Sequence, residues 1–264
     1  EEAAQVCGYA PADLGEKMAA WRLGLPDLPN GALRVLPYPG GRHPRIGFLE
    51  GAIDPQRGTK ASFFLPWDPK SYVVLDLPEA IFSNLRLTYL AHTHVPTIWD
   101  EQNVIIDNVD WERHDDTSLT FTRTLPNNIK FGSSIVPHAG YADLEIWLDN
   151  GTDAALTGQR TQICLMLKGA AGFNGLTNDN KRFDAPVSAV SDERGEHWVL
   201  VAFDRCGRTW GNTKCPCLHA DPVLPDAAPG ERVAVKGKLW FCDAADLDDE
   251  IAKAKQDFTV IEKN

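Results

Sequence analysis

The chain has 264 residues, 43% hydrophobic and 24% charged, and 37 acidic against 26 basic residues give a formal net charge of -11. That acidic balance, with no basic stripe interleaved with aromatics, argues against a nucleic-acid partner. No apolar run approaches the roughly 20 residues of a membrane span, and 18 Pro and 21 Gly spread along the chain argue against low complexity.

Pro11 to Trp21 is expected to form a short helix, with Pro11 at its first position and Leu14, Met18 and Trp21 on one face. After a Pro/Gly-rich passage, short runs of β-branched and aromatic residues predict strands. These cover Ile46–Ile53, Ala61–Leu65, Tyr72–Leu75, Leu85–Val95, Leu119–Leu125, Ile129–Val136, Ala142–Leu148, Thr161–Leu167 and Trp198–Phe203. Pro126-Asn127-Asn128 and Asp149-Asn150-Gly151 supply turns between them. A last strand, Arg232–Phe241, precedes a helix that Asp246 is expected to cap, with Leu247, Ile251, Ala254 and Phe258 on one face. The segment between Phe203 and Arg232 reads as one long loop.

Many strands without βαβ alternation predict an all-β fold. The expectation is an antiparallel β-sandwich of the jelly-roll or supersandwich kind, with short N- and C-terminal helices, forming one domain over residues 1–264. The expected compartment is secretory or periplasmic, with a signal peptide removed.

Strand periodicity points to chemistry. In Leu85–Val95 the even positions Arg86, Thr88, Leu90, His92 and His94 share a face opposite an apolar one. Residues two apart on a strand lie roughly 6.5–7 Å apart, so two imidazoles can meet one metal ion. His138, in the turn Pro137-His138-Ala139-Gly140, is the expected third ligand, with Glu101 or Asp100 as further candidates. Imidazole ligands suit one divalent ion: Zn, Cu, Fe or Mn. Without metal, a His or Tyr141 becomes the general base, and Arg86 or Arg160 neutralises a carboxylate or oxyanion. The even face of Thr161–Leu167, flanked by Arg160, carries Gln162, Cys164, Met166 and Lys168 in the same design.

Six cysteines include a second cluster, Cys206 followed by Cys215-Pro216-Cys217-Leu218-His219. It is open to three readings: disulfides, a Cys₃His zinc site, or buried free thiols. Of eight Trp, Trp147 and Trp198 are expected in the core, and Trp67, Trp99, Trp111 and Trp210 in loops. A loop Trp beside polar residues suits a sugar, whose CH face stacks on the ring. Trp99-Asp100-Glu101-Gln102-Asn103 is the clearest case, and Trp99, Arg160, Gln162 and Glu101 are expected to bind substrate. The chain has no Gly-x-Ser-x-Gly elbow, P-loop or dinucleotide fingerprint, so no nucleotide cofactor is expected.

The His-x-His pair followed by Glu101 resembles the start of the cupin motif, although Glu101 comes seven residues after His94 where cupins place it four or five later. The stretch Leu144 to Asp153, a strand running into an Asn-Gly-Thr-Asp turn, resembles galactose-mutarotase-like carbohydrate-active proteins. Together the residues and resemblances imply an exported carbohydrate-active enzyme of lyase, hydrolase or epimerase type with a carbohydrate ligand. The alternatives are a non-catalytic carbohydrate-binding module and a cupin-like metal-dependent oxidoreductase.

Overall fold

Alternation of apolar and polar residues along the strands builds two antiparallel sheets with a shared apolar interior. The computed structural model describes residues 31–38, 59–91, 95–107 and 109–261. The helix expected over Pro11–Trp21 and the strand expected over Ile46–Ile53 lie outside them, as do His92 and His94.

In chain order the first strands are β1 (Val35–Pro37), β2 (Lys60–Leu65), β3 (Asp68–Ser83), β4 (Arg86–Leu90) and β5 (Glu112–Arg113). They are followed by β6 (Leu119–Thr124), β7 (Lys130–His138), β8 (Tyr141–Asp149), β9 (Arg160–Met166) and β10 (Lys181–Asp184). The last are β11 (Val187–Ser191), β12 (His197–Phe203), β13 (Cys206–Asn212), β14 (Cys217–Pro222) and β15 (Arg232–Asp243). Among the described residues one sheet has seven strands in the order β1-β2-β3-β9-β14-β13, with β4 also paired to β3. The other has eight, in the order β10-β11-β12-β15-β8-β7-β6-β5.

Phe63, Leu75, Ile163, Leu165 and Leu218 from the first sheet pack with Phe131, Ile135, Leu144, Ile146, Val201 and Val235 from the second in one buried cluster. The sandwich is therefore as expected from the pattern of short strands. Helix α1 (Leu247–Asp257) lies on the other side of the eight-stranded sheet. There Leu247, Ile251 and Ala254 pack against Val187, Ala189, Leu200, Ala202 and Trp240. Its apolar face is the expected one, but Asp246 makes no side-chain capping hydrogen bond.

Three differences from the sequence reading matter for the site. First, the region between Phe203 and Arg232 is not one loop, because β13 and β14 form a hairpin there. Second, β3 runs for 16 residues through Pro78, with its register to β9 shifting between Asp76 and Ala80. Such a bulge accommodates a Pro inside a strand and re-aims its neighbours. Third, β4 stops at Leu90, well short of the expected Val95.

Candidate functional site on the polar face of the seven-stranded sheet

Register assigns the face. Asp76 pairs with Cys164, Ala80 with Gln162 and Phe82 with Arg160 across β3 and β9. Met166 pairs with Cys217 across β9 and β14, so Cys164 and His219, two residues along each strand, share that face. Across β14 and β13, Cys217 pairs with Asn212, His219 with Trp210 and Asp221 with Arg208. The face turned away from the sandwich interior thus carries Arg160, Gln162, Cys164, Trp210, Cys217, His219, Asp221 and Arg208.

The β3 bulge brings Glu79 to this face. Gln162 Nε2 donates to Glu79 Oε2 at 2.6 Å, and Glu79 is only 2% exposed. One cavity of about 240 Å³ beside this pair is lined by Glu79, Phe82, Leu87, Leu90, Gln162, Trp210 and His219. A second, of about 470 Å³, is lined by Phe82, Arg160, Gln162, Arg208 and Asp221. Phe82 and Gln162 border both, so the two spaces adjoin along one wall.

Asp221 anchors the hairpin side. Its Oδ2 accepts from Trp210 Nε1 at 2.7 Å and from Arg208 Nη2 at 3.0 Å, and its Oδ1 accepts the Ile163 amide at 3.2 Å. The Trp210 ring lies on His219 with centroids 3.8 Å apart, and the Arg208 guanidinium sits 4.4 Å from the Trp210 ring centre. Both faces of Trp210 are therefore covered.

Beneath Trp210, Cys217 Sγ lies 3.2 Å from His219 Nε2. His219 Nδ1 faces the Ile163 carbonyl, which only accepts, so Nδ1 carries a proton. Hydrogen bonds from Cys164, Cys215 and His219 hold the Cys217 thiol far below its ordinary value despite burial. Burial opposes a charge on His219, but the Cys217 thiolate outweighs it and raises the imidazole to about 9. Burial, with Cys217 alongside, pushes the Cys164 thiol up. Cys217 is accordingly the thiolate of the group.

Of the residues expected to form the site, Arg160 and Gln162 lie on this face. The Arg160 guanidinium sits 5.3 Å from the Phe82 ring centre. Arg86 is held instead by Glu101: its two terminal nitrogens reach the two carboxylate oxygens at 3.1 and 2.6 Å at an exposed edge. His138 and Tyr141 belong to the other sheet, where their rings stack at 4.6 Å and His138 Nε2 donates to Asp143. His92 and His94 lie outside the described residues, so the geometry of a His92, His94 and His138 group is not described.

Trp99 corrects an expectation. It is buried at 5% exposure and donates Nε1–H to the Thr88 carbonyl at 2.7 Å, leaving no ring face for a ligand. Trp111 is likewise buried, donating to the Lys60 carbonyl, whereas Trp147 and Trp198, expected in the core, are only partly buried.

Among the described residues Cys164, Cys206, Cys215, Cys217 and Cys242 are in no disulfide. Cys206 does not join Cys215 and Cys217: its amide bonds the Thr259 carbonyl beside the C-terminal segment. The thiol that completes the group is Cys164, from β9. It sits 51 residues before Cys215, a spacing with no local signature, although its place on the polar face of β9 follows from alternation. Glu79 carried no signal in the sequence because Pro78 interrupts the strand pattern there.

No family model matches the chain, and no curated protein matches it. Among solved structures it is similar to a Klebsiella pneumoniae protein assigned by name as an aldose 1-epimerase, at 14% identity and TM-score 0.35, covering 58% of this chain and 59% of that one. It is also similar to Slr1438 of Synechocystis, at 11% identity and TM-score 0.38, covering 72% of this chain and 90% of that one. A third is a protein of the human microbiome assigned as a kojibiose phosphorylase, at 8% identity and TM-score 0.43, covering 88% of this chain but 37% of that one. Among the described residues no helix is long and apolar enough to cross a membrane.

Proposed function

We propose that the chain is a carbohydrate-active enzyme that holds a saccharide in the adjoining cavities on the polar face of the seven-stranded sheet. The observation that carries the reading is the Gln162–Glu79 pair, which fixes a buried carboxylate in the smaller cavity against Gln162, a residue that borders both. Phe82, Leu87 and Leu90 offer an apolar wall to the CH face of a sugar, while Glu79, Gln162, Arg160 and Arg208 offer acceptors and donors to its hydroxyls.

Glu79 is the general base and Gln162 positions it. Arg160, on the partnering β9, stabilises the negative charge that develops when a proton leaves carbon or oxygen. A hydrolase needs a second working carboxylate. Asp221, the nearby candidate, is committed to Trp210, Arg208 and the Ile163 amide. That favours proton abstraction, as in an epimerase or lyase, over hydrolysis.

The test is a panel of oligo- and polysaccharides incubated with wild type and Glu79→Gln, with products followed by NMR. Turnover in wild type that falls by about 10²–10⁴-fold in Glu79→Gln, with binding retained, is the expected result. Binding without turnover in wild type would replace the enzyme by a binding module, and equal turnover in the variant would remove Glu79 from the mechanism.

A further inference from the structure

We infer that Cys164, Cys215, Cys217 and His219 form a Cys₃His site for a zinc ion, built under the polar face. The inference stands apart from the sugar reading, because it concerns a buried cluster that the proposed chemistry does not use.

The ligand atoms are gathered. Cys164 Sγ, Cys217 Sγ and a His219 ring nitrogen all lie within 4.8 Å of one another. Tetrahedral zinc, with Zn–S near 2.3 Å and Zn–N near 2.0 Å, places its ligand atoms roughly 3.5–3.8 Å apart. The 3.2 Å between Cys217 Sγ and His219 Nε2 therefore needs only a small opening. Cys215, in the turn before β14, brings its thiol to Cys217, and the backbone folds tightly there, with the Cys217 amide on the Cys215 carbonyl at 2.8 Å.

The imidazole is already oriented as a ligand: with Nδ1–H given to the Ile163 carbonyl, Nε2 is the nitrogen that faces Cys217 and the one that would bind a metal. Metal-bound histidines characteristically hold their second nitrogen this way. None of the four residues is more than 1% exposed, which suits a closed four-ligand site rather than an open catalytic one. Three thiolates around a dication leave one negative charge, and buried Lys181 is close enough to feel the charge of Cys215 and Cys217. Binding displaces the thiol protons of Cys164 and Cys215 and the proton that His219 Nε2 shares with the Cys217 thiolate.

The other grouping of ligand types among the described residues, Asp192, Glu196 and His197, is less suited. Asp192 Oδ1 already accepts the Glu196 amide, His197 Nδ1 is bonded to Asp243, and the His197 ring stacks on Trp67 at 4.3 Å.

The experiment is metal analysis by plasma mass spectrometry of the full chain, purified under reducing conditions without chelator. Wild type and Cys206→Ser are expected to carry about one zinc per chain, and Cys164→Ser and Cys217→Ser to lose it. Should those variants not fold, wild type produced in cobalt-supplemented minimal medium gives an independent readout. Intense thiolate-to-cobalt absorption with strong tetrahedral d–d bands is then expected. Metal-free wild type, zinc retained in Cys217→Ser, or cobalt protein without charge-transfer bands would each overturn the assignment. None of these results touches saccharide binding, so the two readings fail separately.

Discussion

Gln162 donates to Glu79 at 2.6 Å across the β3–β9 pair, joining a strand whose polar face is readable in sequence to a bulge that is not. Period-two alternation alone places Gln162 beside Arg160 and Cys164. Glu79 reaches the same place because the register slips between Asp76 and Ala80.

Asp221 gathers the hairpin. Asp221→Ala leaves the Ile163 amide and the Trp210 indole N–H without their acceptor, and is expected to cost about 3 kcal/mol, or about 6–10 °C in Tm. Asp221→Asn keeps one carbonyl acceptor and should cost less. Denaturant unfolding followed by Trp fluorescence measures both.

Lys60 and Asp76 form a fully buried ion pair, Nζ to Oδ1 at 2.7 Å, with both side chains at 0% exposure. Lys60→Met takes the cation from a buried carboxylate that keeps the Thr59 hydroxyl at 3.4 Å, and is expected to destabilise by about 3 kcal/mol. The double substitution Lys60→Met with Asp76→Leu removes both charges and should recover most of that loss. Equal instability of single and double variants would show that packing, not charge, sets the cost.

Cys206 predicts a stability change with pH. Burial raises its thiol from 9.0 to about 11, so the unfolded chain gives up this proton first as pH rises. The contribution is complete below pH 9 and is lost on approaching pH 11, amounting to about 2–3 kcal/mol. The difference in unfolding free energy between wild type and Cys206→Ala, measured at pH 8 and at pH 10.5, should shift by that order in favour of the variant.

Trp99 is a core residue. Trp99→Ala is expected to cost about 3–5 kcal/mol in stability while leaving saccharide affinity per folded molecule unchanged. Loss of affinity without loss of stability, measured by calorimetry and thermal unfolding on the same preparation, would return Trp99 to the binding surface.

How much of this was legible in the sequence depended on whether a local pattern existed. The strands of the sandwich announced themselves where apolar residues alternate over six or more positions, as in Leu119–Thr124 and Tyr141–Asp149. The β13–β14 hairpin did not, because its polar face serves the site and its glycines imitate a loop. Gly211 leaves room there for two side chains: a Cβ would come within 2.7 Å of Asn178 Oδ1 and 2.9 Å of Lys181 Cδ, and both would have to shift. The thiol group was half legible. Cys215, Cys217 and His219 announce themselves by spacing, but Cys206, near in sequence, was chosen over Cys164, near in space. Trp67, Trp99 and Trp111 do lie outside the strands as expected, but Trp99 and Trp111 are buried, because an indole that donates to a backbone carbonyl can enter the core from a loop.

The most direct test of the polar face as the saccharide site is glycan-array binding by wild type, Arg160→Ala and Tyr141→Ala. Arg160 lines the cavity on the seven-stranded sheet, and Tyr141 lines a groove on the eight-stranded one. Wild type is expected to bind at least one glycan, with the signal lost in Arg160→Ala and kept in Tyr141→Ala. Loss in Tyr141→Ala with retention in Arg160→Ala, or no glycan bound by wild type, would contradict the account.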